Sequence, residues 1–156
     1  KYRRCLVVHE SALPRGRGWS PVAWQVLEGK SRIPVRMFEA VEELDAGPVC
    51  LEDEMVLQGH ELLPEIRARQ AEATLRLIRR FLGSDPWPAG TEQSGEPSYY
   101  ARRTRKDDQL MPEWTLATCF EHMRVADNDQ YPAWFVHKGH RYTLRIDKME
   151  EETEHE

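Results

Sequence analysis

The spacing of apolar positions changes along the chain and divides it into strands and helices. Arg4 to Val8 (RCLVV) is a short, nearly continuous apolar run that ends at His9, the form of a strand buried in a parallel sheet. Ser20-Pro21 opens a helix, with Ser20 as cap and proline at the first helical position. That helix, SPVAWQVLE, stops at Gly29. From Arg32 to Ala40 the period drops to two, with Ile33, Val35 and Met37 on one face and Phe38 beside them, which predicts a strand. Pro48 to Leu57 (PVCLEDEMVL) predicts a further strand pair or extended segment. From Leu62 to Leu82 the helical period returns: Leu62, Ile66, Ala73, Leu77 and Phe81 share one side. Arg69, Glu72, Arg76 and Arg79 lie opposite, so that charge run reads as a solvated face.

Gly83 closes this helix, and GSDPWPAGTEQSGEPS follows as a linker rich in proline, glycine and serine. A second unit starts near Ser98. It holds a helix expected from Glu113 to Val125, a turn at Asp127-Asn128-Asp129, and a hairpin of Ala133–Val136 with Arg141–Ile146 around Lys138-Gly139. The division expected is residues 1–83, a linker at 84–97, a small mixed unit at 98–147 and an acidic, disordered tail at 148–156. No internal repeat is present. The order strand, helix, strand, helix, then a short mixed unit, predicts an α/β fold with a small appendage. A chain that enters a strand at once, from Lys1 and without methionine, is expected to be a portion of a longer protein.

Composition changes this picture little. At 156 residues, 40% apolar and 31% charged, the chain has the make-up of one soluble domain with a small addition. The formal charge of −5 opposes nonspecific nucleic-acid binding, although the segment from Asp147 to Glu156 carries most of that excess. No apolar run is long enough to span a membrane, and no signal-peptide pattern is seen, so neither membrane nor nucleic acid is expected as a partner. Cys5, Cys50 and Cys119 are odd in number, far apart and in apolar contexts. They read as reduced core residues of a cytoplasmic protein, with no CxxC pair and no metal expected.

Two residues stand where chemistry could be done. His9 ends a strand and can move a proton or donate to a developing oxyanion. Asp45, in Leu-Asp-Ala-Gly, can orient that histidine or take a proton from an attacking amine. Local spacing alone favours plainer roles: a strand-end histidine held by a carbonyl, and an aspartate capping a turn. The turn LPRGRGWSP places arginines and backbone N–H groups ahead of a helix, a weak anion signal that is neither a Walker A loop nor GxGxxG. His137 and His140 flank a hairpin turn, His60 and His122 lack sequence neighbours for chemistry, and His155 lies in the tail. Tyr99, Tyr100, Arg102 and Arg103 form an aromatic and basic patch that reads equally as a nucleotide contact or an interdomain one.

Taken together, HxSxLPxxRGxxPxxWxxLxG followed by LDxG resembles the folate-dependent formyltransferases, over about residues 5 to 82. The segments HESALPRGRGWSP, QSGEPSYYARR and DNDQYPAWF look most like the amino-sugar N-formyltransferase branch. The resemblance implies a Rossmann-like, open, mainly parallel sheet with flanking helices, lacking its N-terminal part. It also implies transfer of a formyl group from N10-formyltetrahydrofolate to a primary amine, with no metal. His9 and Asp45 would be catalytic, and Leu44, Ala46, Gly47 and Gly18 would border the folate. Ser11, Arg17, Trp19, Ser20, Tyr99, Tyr100 and Arg102 would border the acceptor, a small molecule expected to be a nucleotide-linked amino sugar. A homodimer is the assembly expected. The family's catalytic asparagine, two residues before the histidine, is Val7 here, and the chain's single asparagine is Asn128. That leaves open a different oxyanion donor or an impaired copy. Two rival readings stand beside this one: a methionyl-tRNA formyltransferase-like enzyme, and a non-catalytic formyltransferase-like binding module.

Overall fold

A computed structural model describes residues 4–149. The chain divides into two compact units between Thr104 and Arg105. In the first unit, strands β1 (Leu6–His9), β3 (Arg32–Glu39) and β4 (Val49–Val56) form one sheet in the order β1-β3-β4. A two-residue strand β2 (Arg17–Gly18) and helix α1 (Pro21–Leu27) lie between β1 and β3 in sequence. Helix α2 (Leu63–Leu82) follows β4 and packs across β3 and β4.

The α/β content agrees with expectation, but the strand directions in this sheet do not. Both pairings, β1 with β3 and β3 with β4, are antiparallel. Parallel neighbours need a crossover of about a dozen or more residues that carries the chain back along the full strand. Residues 40–48, between β3 and β4, are too few for that and merely reverse direction. Residues 10–31, between β1 and β3, are enough for a crossover but run through β2 and α1 to an antiparallel partner. Among the described residues the parallel strand pairing is that of β2 with β5 (Tyr99–Tyr100), and Gln109 and Trp134 make an isolated parallel bridge.

The core of this unit lies between sheet and helix. Ile33, Val35 and Met37 of β3, Met55 of β4, and Ile66, Ala73, Leu77 and Phe81 of α2 are all buried. Pro34 is tolerated in the middle strand because β1 pairs only with residues 36–39, so at Pro34 the strand has β4 alone as neighbour. The β3–β4 register shifts between Met37 and Phe38, where Cys50 of β4 is the extra residue; Met37 and Phe38 are both buried.

Several local expectations need correction. Ser20 has φ 50° and its side chain caps nothing; the following proline disfavours right-handed helical backbone at this position. Cys5 is exposed, and Cys50 and Cys119 are half-buried, so none is a core residue. Residues 98–104, assigned from sequence to the second unit, belong with the first, because β5 pairs with β2.

The second unit contains α3 (Leu116–Met123) and the hairpin β6 (Ala133–His137) and β7 (His140–Leu144). The helix starts later than expected because Thr115 accepts the N–H of Thr118 at 3.2 Å and so fixes the N-terminus. Lys138 and Gly139, both with positive φ, form the tight turn. Leu110, Met123, Ala126 and Ala133 form a small core, covered by Trp114, Cys119, Phe135, Leu144 and Ile146. The Asp127 side chain accepts the N–H groups of Asp129 and Gln130, as the turn residues suggested. The acidic tail expected at 148–156 lies, from Glu150 onward, outside the described residues. Among the described residues no helix is long and apolar enough to cross a membrane.

Candidate active site

His9 is the last residue of β1, registered against Arg36 of β3. The turn after it doubles back so that the ring meets its own downstream backbone. His9 Nε2 lies 2.8 Å from the carbonyl oxygen of Gly16. A carbonyl only accepts, so Nε2 carries a hydrogen and donates it. The other nitrogen, Nδ1, lies 3.7 Å from Oδ2 of Asp45. Both side chains are buried almost completely. The ring is therefore fixed through one nitrogen, and the other is left facing a carboxylate.

Asp45 reaches this position from the loop between β3 and β4. Its φ is 52°, a left-handed conformation uncommon for a residue with a side chain. Two backbone features hold it there. The Gly18 N–H donates to Oδ2 at 2.9 Å, a charge-assisted bond. Gly47 allows the loop to close onto β3: a Cβ there would overlap the carbonyl oxygen of Glu39. Gly18 itself, with φ 98°, sits where a Cβ would come within 2.6 Å of the Tyr100 carbonyl. Glycine at 18 thus serves both the β2–β5 pairing and the approach to Asp45.

The remaining sequence-predicted residues separate into two groups. Arg17 is buried, and its guanidinium is occupied by protein: Glu43 at 2.7 Å, the Tyr99 hydroxyl at 3.3 Å and Gln93 Oε1 at 2.9 Å. Ser11 is 1% exposed and packs beneath Gly16. Neither presents a surface to an acceptor, because each is needed to shape the turn that holds His9. Tyr100 also serves that turn, with its ring against Gly16 and its hydroxyl donating to Glu28 at 3.0 Å. Burial, reinforced by the Glu28 carboxylate, pushes the Tyr100 hydroxyl above its ordinary value, so it stays a donor. Ser20 lies next to this turn at the start of α1.

The second group is open. Trp19 is 54% exposed with the Arg102 guanidinium 5.2 Å from its ring centre, and Tyr99 is also exposed. Leu44, beside Asp45, is 55% exposed, and Ala46 is half-buried. Apolar and planar surface therefore stands next to the buried His9–Asp45 pair, which fits in kind an aromatic ligand such as a folate. An open groove of about 720 Å³ runs past Leu13, Arg15, Arg36, Cys50 and Gln93–Glu96. Neither His9 nor Asp45 lines it. Among the described residues no three His, Cys, Asp or Glu side chains gather as metal ligands.

Sequence reading missed Gln93, whose amide nitrogen donates to the carbonyl oxygens of Asp45 at 2.8 Å and Gly47 at 2.9 Å. Its signals were that it opens QSGEPSYYARR, a segment that carries the resemblance, and that it is the sole glutamine in the linker.

Val7, at the position of the asparagine expected from the resemblance, is 36% exposed on the outer strand of this sheet and supplies no hydrogen-bonding side chain. No protein-family model matches the sequence. The chain is 32% identical over 132 residues to methionyl-tRNA formyltransferase of Gluconobacter oxydans, which covers 85% of this chain and 42% of that protein. It is 32% identical over 109 residues to GDP-perosamine N-formyltransferase of Brucella melitensis, covering 69% of this chain and 42% of that protein. The chain thus spans less than half the length of these curated relatives. Its structure superposes on methionyl-tRNA formyltransferase from Clostridium thermocellum with a TM-score of 0.81 at 21% identity, over 94% of this chain and 64% of that one. It superposes also on HypX from Aquifex aeolicus in complex with tetrahydrofolic acid, with a TM-score of 0.71 at 19% identity, over 92% of this chain and 25% of that one.

Proposed function

The chain belongs to the formyltransferase family, and from that premise we propose that it supplies the His9–Asp45 part of the active site of an N-formyltransferase acting on a nucleotide-linked amino sugar. The observation that carries the reading is the buried approach of His9 Nδ1 to the Asp45 carboxylate, 3.7 Å apart, from opposite sides of β3 in sequence. A bound N10-formyltetrahydrofolate would supply the formyl group. Leu44, Ala46, Gly47 and Gly18 are the residues of this chain that would border it.

The chain's own groups then divide the work. With Nε2–H donated to Gly16, the nitrogen of His9 left for chemistry is Nδ1. A proton leaving the attacking amine can be lodged there, and Asp45 stabilises the cation that results. In that protonated form Nδ1–H can donate to an oxyanion, a contact of a type worth about 3–4 kcal/mol of barrier. Trp19, with Arg102 against it, offers a planar surface for the base of a sugar nucleotide, and Tyr99 borders the same side. Similarity to GDP-perosamine N-formyltransferase supports this acceptor class.

The similarity to methionyl-tRNA formyltransferase supports a second reading, in which the acceptor is an aminoacylated tRNA. The formal charge of −5 speaks against it, since tRNA binding draws on a positive surface. The test is direct. The protein carrying this chain is incubated with N10-formyltetrahydrofolate and a panel of nucleotide-linked 4-amino sugars, and mass spectrometry follows gain of one formyl group. Product on tRNA alone would replace the sugar reading. Absence of any product, with no binding of a folate analogue by calorimetry, would leave a non-catalytic module.

A further inference from the structure

Gln93 stands where three separate stretches of chain meet. Its amide NH₂ donates one hydrogen bond to the Asp45 carbonyl at 2.8 Å and one to the Gly47 carbonyl at 2.9 Å. Its oxygen accepts from Arg17 Nη2 at 2.9 Å and Nε at 3.3 Å. A carboxamide has two N–H donors and two lone pairs, and all four are used. The orientation is forced. Turning the amide over would set its oxygen against two carbonyls and its NH₂ against a guanidinium.

The bond to Asp45 falls on a backbone that needs holding. Asp45 keeps a left-handed φ of 52°, and in that conformation its carboxylate meets the Gly18 N–H and faces His9. Arg17 is in turn fixed by Glu43 and by Tyr99 of β5. The amide therefore ties the acid-bearing loop to the turn that carries Gly18.

We propose that Gln93 is the positioning residue for Asp45, fixing the carboxylate against Gly18 and His9 by clamping the loop backbone at the carbonyls of the strained residue and of Gly47, two residues on. For its effect on turnover the inference rests on the formyl-transfer reading above. For its effect on Asp45 it does not.

The test compares wild type with Gln93→Glu, which keeps the size and the pairing to Arg17 but turns an acceptor toward the two carbonyls. Two readouts are taken on the folded protein. The first is the NMR proton shift of the Gly18 amide, which reports its bond to the Asp45 carboxylate; it is expected to move upfield, toward its position in Asp45→Asn. The second is formyl transfer. Here kcat is expected to fall about 10- to 100-fold with KM for the amine within about twofold, the signature of a displaced group rather than a lost binding contact. If Gln93→Glu does not fold, Gln93→Ala removes the clamp without adding charge and is read the same way. An unmoved Gly18 amide overturns the proposal, and so does a moved amide with an unchanged kcat. If wild type transfers no formyl group, the formyl-transfer reading fails, and the Gly18 amide alone decides whether Gln93 positions Asp45.

Discussion

The carboxylate of Asp45 and the imidazole of His9 approach to 3.7 Å inside the protein, yet neither is held by the other. His9 is fixed by Gly16, and Asp45 by Gly18. Both anchors are backbone groups of one glycine-rich turn. The gap between the two side chains is thus set by the turn and is available to a proton.

That arrangement predicts a matched loss. His9→Ala and Asp45→Asn are each expected to lower formyl transfer by at least about 100-fold, because proton transfer and charge stabilisation share the pair. Circular dichroism should show the fold retained. Rates near wild type in both variants would remove the assignment.

Gly47→Ala tests the closing of the Asp45 loop. Its Cβ would overlap the Glu39 carbonyl, a backbone atom held in the sheet. The substitution is expected to destabilise by at least about 2 kcal/mol, read by urea unfolding. A midpoint equal to wild type would mean that the loop does not rest on β3.

Glu61 gives a prediction in pH. The side chain is 3% exposed and accepts the N–H groups of Gln58 at 2.6 Å and Gly59 at 3.0 Å. Burial pushes its carboxyl upward, but those backbone donors and the nearby His60 outweigh it, so it lies below the ordinary 4.5. A carboxyl lowered on folding adds stability above its unfolded value and loses it as pH falls through the folded one. Glu61→Gln should therefore cost about 1 kcal/mol near neutral pH. The difference in melting temperature should shrink once pH drops below about 4.5, the ordinary value. A constant difference down to strongly acidic pH would contradict this.

Leu77 is completely buried on the face of α2 that meets the sheet. Leu77→Ala should cost about 2–5 kcal/mol, with the spread set by how far the cavity collapses. A loss under about 1 kcal/mol would show that α2 contributes little to the core.

The elements and the candidate pair were legible because each leaves a local trace. Ile33, Val35 and Met37 alternate, Ile66 to Phe81 keep helical spacing, and His9 and Asp45 sit within a long fixed pattern. What escaped depends on partners distant in sequence. The apolar run before His9 looks the same in either strand direction, and its pairing with β3 decides it. Arg17 reads as a free cation until Glu43, Gln93 and Tyr99 surround it. Gln93 looks like linker because hydrogen bonding to backbone carbonyls requires no sequence pattern of its own.

The pairing of β2 with β5 fixes where this unit can be cut. Ending the chain at Gly83, where the helical pattern stops, would discard Gln93 with the bonds it makes to the Asp45 loop. It would also remove Ser98, which accepts from the Gly16 and Arg17 amides, and Tyr100, which accepts from Trp19. The proline- and glycine-rich stretch is a return path rather than a spacer. A fragment meant to keep the His9–Asp45 geometry has to run at least through Tyr100, and loop-length changes in 84–97 bear on that geometry itself.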